Sequence, residues 1–468
     1  MKFGGTSVED ATAMLRTAAI VAGRRARGLN PIVVVSAMSK VTDQLLACAA
    51  AASSGRGDRE GALEITSSLR ARHLQTASEL VTGEGLTSLQ QDVNRAFDSL
   101  DELVRGISIL RELTPRTADL IVSYGERLSS VMVTAAFAEQ GLPSVHVDAR
   151  DIILTDDHFG KATPNELAIE QALQIHVLPL IARGEIPVLG GFIGSSDGIT
   201  TTLGRGGSDY TGALIGGGLH AGAIEIWTDV DGIMTTDPRI CPDALRVKSI
   251  SFEEAAELAY FGAKVLHPAT ILPAVQKNIP VWVLNSRNAE NEGTVITAMP
   301  PPCGSPFKSI AVKKRLTIID IVASRMLLAH GFLKLVFDVF DKHGCAIDMV
   351  STSEVSISVT VDSREALPAI SADLSKIADV KFEGSKALVC LVGEDIRGHA
   401  GIAGQVFTAV SHINVRMISQ GASEINMSFM INEDEVEEAV RALHAQFFHA
   451  PDPKIFDTSV REVVSSTL

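Results

Sequence analysis

The sequence predicts an α/β protein in which a doubly wound open sheet precedes two ferredoxin-like βαββαβ modules. Over residues 1–298, short β-branched runs alternate with segments of helical period, which is typical of a parallel sheet covered by helices on both faces. A Pro-rich stretch at 299–311 indicates a linker. Beyond it, residues 347–351 and 415–419 resemble each other, and each is followed by an alternating strand that begins at a glutamate. Two copies of one small module explain this repeat.

Length and composition argue against a nucleic-acid-binding, membrane-spanning or secreted protein. A chain of 468 residues is too long for one hydrophobic core, so we expect about two to four domains. The net charge of −15 and the lack of a Lys/Arg cluster argue against a nucleic-acid partner. No apolar run approaches the ~20 residues of a membrane span, and the first residues do not resemble a signal peptide. The five cysteines lack CxxC spacing, which favours a reducing compartment; we expect a cytoplasmic protein with no membrane partner.

The glycine-rich loop at residues 203–212 is the most informative stretch of the chain. It lies between an apolar run at 186–192 and a helix predicted from 213 to 219. Paired glycines let backbone N–H groups approach an anion, and a helix start directs its unpaired N–H groups and its dipole toward the same place. Arg205 adds a planar fork suited to a carboxylate or a phosphate. The loop therefore predicts an anion site, with an ordinary capped turn as the alternative.

A second glycine-rich loop, residues 2–7, stands near the start of the sequence and contains a lysine, Lys2. A helix is predicted after it, from about residue 8 to residue 26, and residues 32–36 form a β-branched run typical of a buried strand. Pro115 interrupts a long helical pattern, so we expect a helix to end before it. The other predicted elements before the loop at 203–212 are a helix opened by Thr42, helical segments at 59–113, 123–140 and 165–182, and a strand at 144–147.

The alternation of strands and helices continues beyond the loop at 203–212. Strands are predicted at 223–227 and 281–284, and helices at 251–261 and 269–277. In an open α/β sheet, ligands bind at the carboxyl ends of the strands. The glycine-rich and polar loops of this chain fall at those ends, so we expect the functional site where these loops meet.

The charged residues in these loops fit phosphoryl transfer. That reaction needs cations that neutralise the transferring oxygens and groups that align the reactants. The chain has no GxxxxGK[ST] motif, which excludes a P-loop kinase, and no GxGxxG motif, which disfavours a nicotinamide enzyme. Taken singly, each residue also has an ordinary structural explanation, such as a first-turn acid or a turn residue. The charged candidates are Lys2, Arg205, Asp209, Asp229, Arg239 and Lys264.

Six motifs stand along the chain: residues 2–7, 35–37, 125–127, 205–209, 228–229 with 236–239, and 261–268. Taken in this order, they resemble the motifs of the aspartokinases, a branch of the amino acid kinase family. The modules after the linker resemble ACT domains, the amino-acid sensors of that family. The resemblance covers nearly the whole chain, and the motifs together are far more specific than any one of them. It implies a catalytic domain at 1–298, a linker at 299–311, and ACT domains at 312–385 and 386–468.

The resemblance implies transfer of the γ-phosphoryl group of ATP, with Mg²⁺, to the side-chain carboxylate of L-aspartate. This reaction is the first step of lysine, threonine and methionine biosynthesis. Lys2 would stabilise the transferring group, and Asp209 would orient the cations around it or help hold Mg²⁺; no protein residue is otherwise assigned to a metal. Arg205 would bind the α-carboxylate of aspartate and Glu126 its ammonium. The implied aspartate site is Ser36, Thr42, Glu126, Arg205 and Ser208, and the implied nucleotide site is Gly4, Gly5, Thr228, Asp229, Met234, Arg239 and Lys264.

Two departures from the family pattern lead to further expectations. The family has a β-strand before the first glycine loop, whereas only Met1 precedes Lys2. We therefore expect the sheet to lack an edge or central strand and Lys2 to be poorly held. Met234 stands where the family often has an aromatic residue that contacts the base, so we expect weaker ATP binding. We expect no fused homoserine dehydrogenase after the second module.

The resemblance also implies feedback inhibition at the first ACT module. This module resembles the sensor of lysine-inhibited, single-function aspartokinases, and lysine is the expected effector because an acidic site suits a dication; threonine is the second choice. ACT modules commonly pair side by side, which implies a homodimer or a dimer of dimers. The alternatives are an amino acid kinase acting on glutamate, N-acetylglutamate or UMP, and a catalytically inactive amino-acid-binding regulator. The implied effector site is Met326, Asp348, Thr352, Ser353 and Glu354.

Overall fold

The computed structural model describes residues 1–54, 58–262, 268–322, 331–362, 364–421 and 423–458. The chain divides into two compact units. The first unit contains Met1–Ile233 and Val265–Met299, and the second contains Met234–Lys264 and Pro300–Leu468. The segment at 234–264, which the sequence predicts as part of the catalytic domain, therefore packs with the C-terminal part of the chain. The division into one catalytic domain and two separate ACT domains stays a prediction.

Strands and helices alternate along the first unit. Up to residue 233, its strands are β1 (Lys2–Phe3), β2 (Val33–Val35), β3 (Ser144–His146), β4 (Ile186–Gly190), β5 (Ile193–Ser196), β6 (Ile199–Thr202) and β7 (Ile224–Thr228). Its helices over the same range are α1 (Ala11–Ala26), α2 (Val41–Ser53), α3 (Arg59–Leu80), α4 (Gly83–Leu110), α5 (Pro115–Glu139), α6 (Glu166–His176), α7 (Leu178–Ala182) and α8 (Gly207–Gly218).

The segment at 234–264 contributes β8 (Ser249–Ser251) and α9 (Phe252–Tyr260) to the second unit. The first unit then resumes with α10 (Leu272–Gln276), β9 (Val281–Asn285) and β10 (Thr294–Thr297). The rest of the second unit consists of β11 (Ser309–Val322), α11 (Phe332–Lys342), β12 (Met349–Thr352), β13 (Ser356–Val361), α12 (Leu367–Leu374), β14 (Asp379–Val392), α13 (Ile402–Ala409), β15 (Met417–Gln420), β16 (Asn426–Asn432) and α14 (Val436–Phe447). Across the described ranges, no helix combines the length and apolar character needed to span a bilayer.

The sheet of the first unit has the strand order β3-β4-β2-β1-β7-β9-β10. The neighbouring pairs are parallel, except that β10 runs antiparallel to β9. The short strand β1 lies in the middle of the order and pairs with β2 on one side and β7 on the other. The expectation that the sheet lacks a strand here was wrong, because Lys2 and Phe3 themselves form a central strand of two residues.

Helices cover both faces of this sheet, which confirms the predicted doubly wound fold. In β2, Val33 and Val35 belong to a core that includes residues of α1 to α5, whereas Val34 belongs to a second core that includes residues of α6 and α8. Successive side chains of a strand point to opposite faces, so each face needs its own helical layer. This arrangement explains why the strand is apolar at every position.

Two helices of the first unit begin earlier than predicted. Helix α5 begins at Pro115 rather than at residue 123, and the Thr114 hydroxyl caps it by accepting a hydrogen bond from the N–H of Thr117 at 3.2 Å. Proline suits the first helical position because its missing N–H would be unpaired there in any helix. Helix α8 begins at Gly207 rather than at residue 213, directly after Gly206 in the left-handed conformation with a φ of 74°.

The second unit contains a six-stranded antiparallel sheet with the order β12-β13-β11-β14-β16-β15. Two of its strands, β11 and β14, are each 14 residues long and extend through both copies of the repeat. Residues 317–322 of β11 pair with β13, and residues 318–322 pair with residues 379–383 of β14, which completes the first module. Residues 309–313 of β11 pair instead with residues 388–392 of β14, and these pair onward with β16.

The two repeated modules are therefore interleaved rather than consecutive. Residues 309–313 supply the outer strand of the second module, although they precede the first module in the chain. Both long strands are interrupted at the junction, where Arg315 and Ser385 adopt the left-handed conformation with φ values of 64° and 53°. The stretch predicted as a linker, 299–311, ends inside a strand for the same reason, since β11 begins at Ser309.

A buried ion pair joins the segment at 234–264 to β11 within the second unit. Nζ of Lys308, which directly precedes β11, lies 2.9 Å from Oε1 of Glu254, and their side chains are 0% and 3% exposed. Glu254 also completes a capping box with Ser251 at the start of α9. Breaking such a pair leaves an uncompensated buried charge, so it strongly favours this packing over alternatives that separate the two residues.

Candidate active site

Several predicted site residues of the first unit lie at the carboxyl ends of neighbouring parallel strands. Gly4 follows β1, Ser36 follows β2, and Thr228 ends β7. Phe3, the last residue of β1, lies opposite the last residue of β2 and the next-to-last residue of β7. Loops that are far apart in the sequence therefore meet at the centre of this edge, as expected for ligand sites in open α/β sheets.

Lys2 and Asp209 form an ion pair at this edge. The Nζ atom of Lys2 lies 2.6 Å from Oδ1 of Asp209, and the two side chains are 11% and 16% exposed. Asp209 belongs to the first turn of α8. Gly212 allows this helix to approach β1, since a Cβ there would lie 3.2 Å from Cβ of Lys2. The expectation that Lys2 is poorly held was wrong, because strand pairing and Asp209 both fix it.

Glu126 presents a buried carboxyl group in the middle of α5. Burial raises its pKa from 4.5 to about 8, while the backbone N–H of Ala37 and the nearby charge of Lys2 act in the opposite direction. Its Oε2 atom has no hydrogen-bond partner among the described residues. A Cβ on Gly190 would lie 3.0 Å from the carbonyl oxygen of Glu126, so a glycine lets β4 reach this position. A cationic ligand group would stabilise the ionised carboxylate here.

The segment between β2 and α2 packs beside Glu126. Thr42 lies in the first turn of α2, and both Ser36 and Thr42 are partly buried. A Cβ on Gly125 would lie 2.8 Å from Cβ of Ala37, so this segment lies directly against α5. The two predicted hydroxyl-bearing residues are thus near the buried carboxyl group in the fold, although no direct bond joins either of them to it.

Ser208 lies at the start of α8 against the end of β4. A Cβ on Gly191 would come within 2.7 Å of Cβ of Ser208, a distance that real side chains do not tolerate. The glycine therefore permits close contact between the strand and the helix start. The first turn of α8 thus carries two predicted site residues, Ser208 and Asp209, and its N-cap, Gly206, has no side chain to satisfy the helix's free N–H groups.

Arg205 occupies a tight turn between two glycines. Gly204 and Gly206 both have a φ of 74°, and the N–H of Gly207 donates to the carbonyl oxygen of Gly204 at 3.0 Å. The Arg205 side chain is exposed, and within the described part of the chain no carboxylate forms an ion pair with it. Its guanidinium group is therefore available to an anionic ligand.

The end of β7 is tied to the first glycine loop. The N–H of Gly4 donates to the carbonyl oxygen of Trp227 at 2.9 Å, and the Ser286 hydroxyl accepts a bond from Ser7 at 2.8 Å. Ser286 in turn donates through its N–H to the carbonyl oxygen of Thr228 at 2.8 Å. The predicted nucleotide residues Gly4, Gly5, Thr228 and Asp229 consequently lie on two adjacent strand ends.

The remaining predicted nucleotide residues are distributed differently. Met234 belongs to the second unit, where its carbonyl oxygen accepts a hydrogen bond from the Ser309 hydroxyl at 2.7 Å. Arg239 belongs to the same unit, is 86% exposed and pairs with Asp237 at 2.6 Å. Lys264 lies outside the described residues. The roles of these three side chains stay predictions.

The described residues contain no group of three or more His, Cys, Asp or Glu side chains that could hold a metal ion on its own. This does not exclude Mg²⁺, which proteins usually bind through one or two carboxylates together with substrate phosphates. Asp209, whose Oδ1 contacts Lys2, is the acidic group that fits such a shared arrangement. The site therefore suits Mg²⁺ that arrives with a nucleotide.

The predicted effector residues lie in the first module of the second unit. Asp348 is only 4% exposed and pairs with Lys313 at 2.7 Å, and Lys313 also pairs with Asp362 at 3.0 Å. Burial raises the pKa of Asp348, and its Oδ2 atom has no hydrogen-bond partner among the described residues. The predicted residues Thr352, Ser353 and Glu354 are exposed at and after the end of β12, and Met326 lies outside the described residues.

Sequence reasoning missed several groups that shape the site. The N–H of Ala37 was not identifiable as a partner of Glu126, because backbone groups carry no sequence signal. Asp119, also on α5, is a buried carboxylate that accepts three hydrogen bonds. The sequence gives only a weak indication of Asp119, because it is one acidic residue about two helical turns before Glu126. The structure shows that both lie on the buried face of α5.

Two known protein families match this chain, and together they cover most of its length. The amino acid kinase family matches residues 1–285, and the ACT domain matches residues 319–372 and 389–447. The class of protein that the sheet, the glycine loops and the C-terminal modules define is therefore an amino acid kinase with appended ACT modules. The first ACT match begins inside β11 and the second inside β14, the two long strands that the modules share.

Individual relatives narrow this class. The chain is 36% identical over 465 residues to lysine-sensitive aspartokinase 3 of Escherichia coli, covering 96% of this chain and 98% of the relative. It is 38% identical to chloroplastic aspartokinase 2 of Arabidopsis thaliana, covering 97% and 84%. The crystal structure of E. coli aspartokinase III with aspartate and ADP superposes with a TM-score of 0.82 at 35% identity, covering 96% of this chain and 99% of that one. The chain belongs to the aspartokinase branch of the amino acid kinase family.

Proposed function

We propose that this chain transfers the γ-phosphoryl group of ATP to the side-chain carboxylate of L-aspartate, giving ADP and 4-phospho-L-aspartate. The observation that carries the proposal is the buried Glu126 carboxyl group, with its free Oε2 atom, beside the Lys2–Asp209 pair. A substrate that brings both an ammonium group and a carboxylate acceptor fits this combination. The related E. coli structure that contains aspartate and ADP supports the same choice of ligands.

The chain's own residues supply charge and position rather than acid–base catalysis. The acceptor carboxylate is already ionised at neutral pH, so it needs no general base. Lys2 neutralises negative charge that develops on the transferring oxygens, and Asp209 fixes the direction of the Lys2 ammonium group. Mg²⁺, when bound with the nucleotide, would further neutralise the phosphate oxygens.

Aspartate recognition divides between two charged groups. Arg205, exposed in its glycine turn, binds the α-carboxylate through its planar fork. Glu126 binds the ammonium, which provides the positive charge that favours ionisation of this buried carboxyl group. Ser36, Thr42 and Ser208 provide hydroxyl groups around them.

The alternatives account for fewer features. An amino acid kinase that acts on glutamate, N-acetylglutamate or UMP shares the fold, but would not require Glu126 together with Arg205 or the appended ACT modules. A catalytically inactive regulator would leave the arrangement of Lys2 unexplained, because this side chain is held in a formed strand and paired at 2.6 Å with Asp209.

Regulation by lysine at the first ACT module forms part of the proposal, with threonine as the second candidate. A related E. coli structure contains lysine and aspartate in its T-state, which supports lysine. We further propose a homodimer or a dimer of dimers that associates through the ACT modules, and a cytoplasmic location.

A hydroxylamine assay tests the proposed reaction. The chain is incubated with ATP, Mg²⁺, hydroxylamine and one acceptor at a time, and the hydroxamate formed from an acyl phosphate is measured. We expect product with aspartate and none with glutamate or N-acetylglutamate, and the Lys2→Ala variant serves as the matched control. Product with glutamate alone would contradict the proposal, and no product with any acceptor would favour the inactive regulator.

A further inference from the structure

Asp119 is a buried carboxylate in the second turn of α5, about two turns before Glu126 on the same face of the helix. Its exposure is 3%. One oxygen, Oδ2, accepts hydrogen bonds from the backbone N–H groups of Gly160 and Thr202, both at 2.9 Å, and Oδ1 accepts one from the Thr202 hydroxyl at 2.7 Å. Three short bonds to one buried side chain make a firm anchor.

Both partners of Asp119 lie close to Arg205 along the chain or in space. Thr202 is the last residue of β6 and leads through Leu203 and Gly204 to Arg205. Gly160 lies in the loop before α6, and a Cβ on Gly204 would come within 3.2 Å of the Gly160 carbonyl oxygen. Asp119 therefore holds two segments that pack against each other at the base of the Arg205 turn.

The turn that contains Arg205 has few anchors of its own. Its flanking glycines, Gly204 and Gly206, carry no side chains, and Arg205 is exposed. Its position thus depends on what holds its two ends. One end is Gly207, which packs against the Phe192 side chain, and the other is Thr202, which Asp119 holds.

We propose that Asp119 is a positioning residue for aspartate binding, which sets the separation between Arg205 and Glu126. These two side chains lie on different elements, and a single amino acid must reach both with its carboxylate and its ammonium group. Asp119 connects the elements, because it lies on the helix of Glu126 and bonds to the strand that leads into Arg205. The inference rests on the proposed function, since it assigns these two charged groups to one aspartate molecule.

Two substitutions distinguish the hydrogen bonds of Asp119 from its negative charge. Asparagine at 119 can keep all three contacts: its oxygen accepts the two N–H bonds, and its amide donates to the Thr202 hydroxyl, so that this bond reverses its direction. Alanine removes all three and leaves two buried N–H groups unpaired. A role in positioning predicts that Asp119→Asn behaves like the unsubstituted chain and that Asp119→Ala does not.

The test measures kcat and the KM values for aspartate and ATP, together with the thermal midpoint. We expect Asp119→Ala to raise the aspartate KM by about tenfold or more while the ATP KM changes by less than about twofold, because misplacement affects aspartate binding alone. Asp119→Asn should stay within about threefold of the unsubstituted chain. Asp101→Ala is the matched control: Asp101, on α4, accepts a 2.6 Å bond from Thr66 and pairs with Arg70, so its loss should lower stability without changing the aspartate KM.

Amide hydrogen exchange provides a measurement that does not depend on activity. Exchange at Gly160 and Thr202 should accelerate in Asp119→Ala and stay slow in Asp119→Asn. Should Asp119→Ala fail to fold, Thr202→Val removes only the 2.7 Å hydroxyl bond and should raise the aspartate KM by about twofold to fivefold.

An unchanged aspartate KM in the folded variants, or equal rises in both KM values, would overturn the inference alone. Unchanged amide exchange in Asp119→Ala would also overturn it. An unsubstituted chain that forms no aspartyl hydroxamate would instead overturn the proposed function, and this inference with it.

Discussion

The Nζ atom of Lys2 lies 2.6 Å from Oδ1 of Asp209, although β1 and α8 are far apart in the sequence. The pair directs a nearly buried ammonium group toward the edge of the sheet where the glycine loops meet. Because a fixed cation stabilises charge that develops on transferring phosphoryl oxygens, its main contribution should appear in the transition state.

Lys2→Ala should therefore lower kcat by at least about a hundredfold with little change in the KM for ATP. Steady-state kinetics at saturating aspartate measure this effect. Asp209→Asn is the matched variant, since it keeps the shape of the partner and removes its charge; its kcat should also fall. A rise in the KM for ATP with unchanged kcat would show that Lys2 only binds ground-state nucleotide.

Arg205→Lys should raise the KM for aspartate by about tenfold to a hundredfold, because an ammonium cannot reproduce a bidentate contact with a carboxylate. The KM for ATP should remain nearly the same. Both values are obtained by varying each substrate at saturation of the other. Equal weakening of both substrates would place Arg205 on the nucleotide instead.

The raised pKa of Glu126 predicts a pH dependence of aspartate binding. With a pKa of about 8, the carboxyl group is protonated in the empty site at neutral pH, whereas a bound ammonium requires its ionised form. The KM for aspartate should therefore fall by up to about tenfold per pH unit as the pH approaches 8 from below, and then level off. A KM that stays constant over this range would contradict the assignment.

Glu126→Gln is the control for this pH profile, since it should give a high KM for aspartate without the slope. It should also unfold at a higher temperature at neutral pH. A carboxyl group whose folded pKa is raised contributes most to stability below its ordinary pKa of 4.5, and this contribution is lost as the pH rises toward 8. A neutral amide avoids that loss, so the gain in thermal midpoint should be larger at pH 8 than at pH 4.

The Lys313–Asp348 pair leads to a prediction about regulation. Asp348 already neutralises one internal lysine, so a lysine effector must share this carboxylate or displace Lys313 from it. Asp348→Ala or Thr352→Ile should raise the lysine concentration for half-inhibition by about 5-fold to 150-fold, the usual range of allosteric coupling. The measurement uses fixed aspartate and ATP, with activity in the absence of lysine as the reference. Unchanged lysine sensitivity in both variants would remove the effector site from this module.

The buried Lys308–Glu254 pair should contribute strongly to the free energy of unfolding of the second unit. Lys308→Met leaves Glu254 without its buried partner and should lower the free energy of unfolding by about 3–5 kcal/mol. The double variant Lys308→Met with Glu254→Gln should recover part of the loss, since no unpaired charge remains. Chemical denaturation that resolves the second unit measures both, and a negligible loss in the single variant would argue against a tight pair.

Local patterns in the sequence determined much of this protein. The β-branched run at 32–36 predicted a strand of the central sheet because the periodicity of burial is a property of short segments. The glycine loops at 2–7 and 203–212 were identifiable because positive φ angles and close backbone approach require glycine. The repeat around Met349 and Met417 likewise revealed the two ACT-like modules, and the order of motifs identified the family.

Contacts between distant segments were decided only in the tertiary structure. Asp209 became the partner of Lys2, and Asp119 that of Thr202, because the fold packs α8 against β1 and α5 against β6. The pKa of Glu126 depends on burial from several elements at once, and no single segment encodes it. The interleaving of the modules depends on the pairing of residues 309–313 with 388–392. Local sequence patterns determine which helices and strands form. Long-range packing determines which strands pair and which charged side chains become buried.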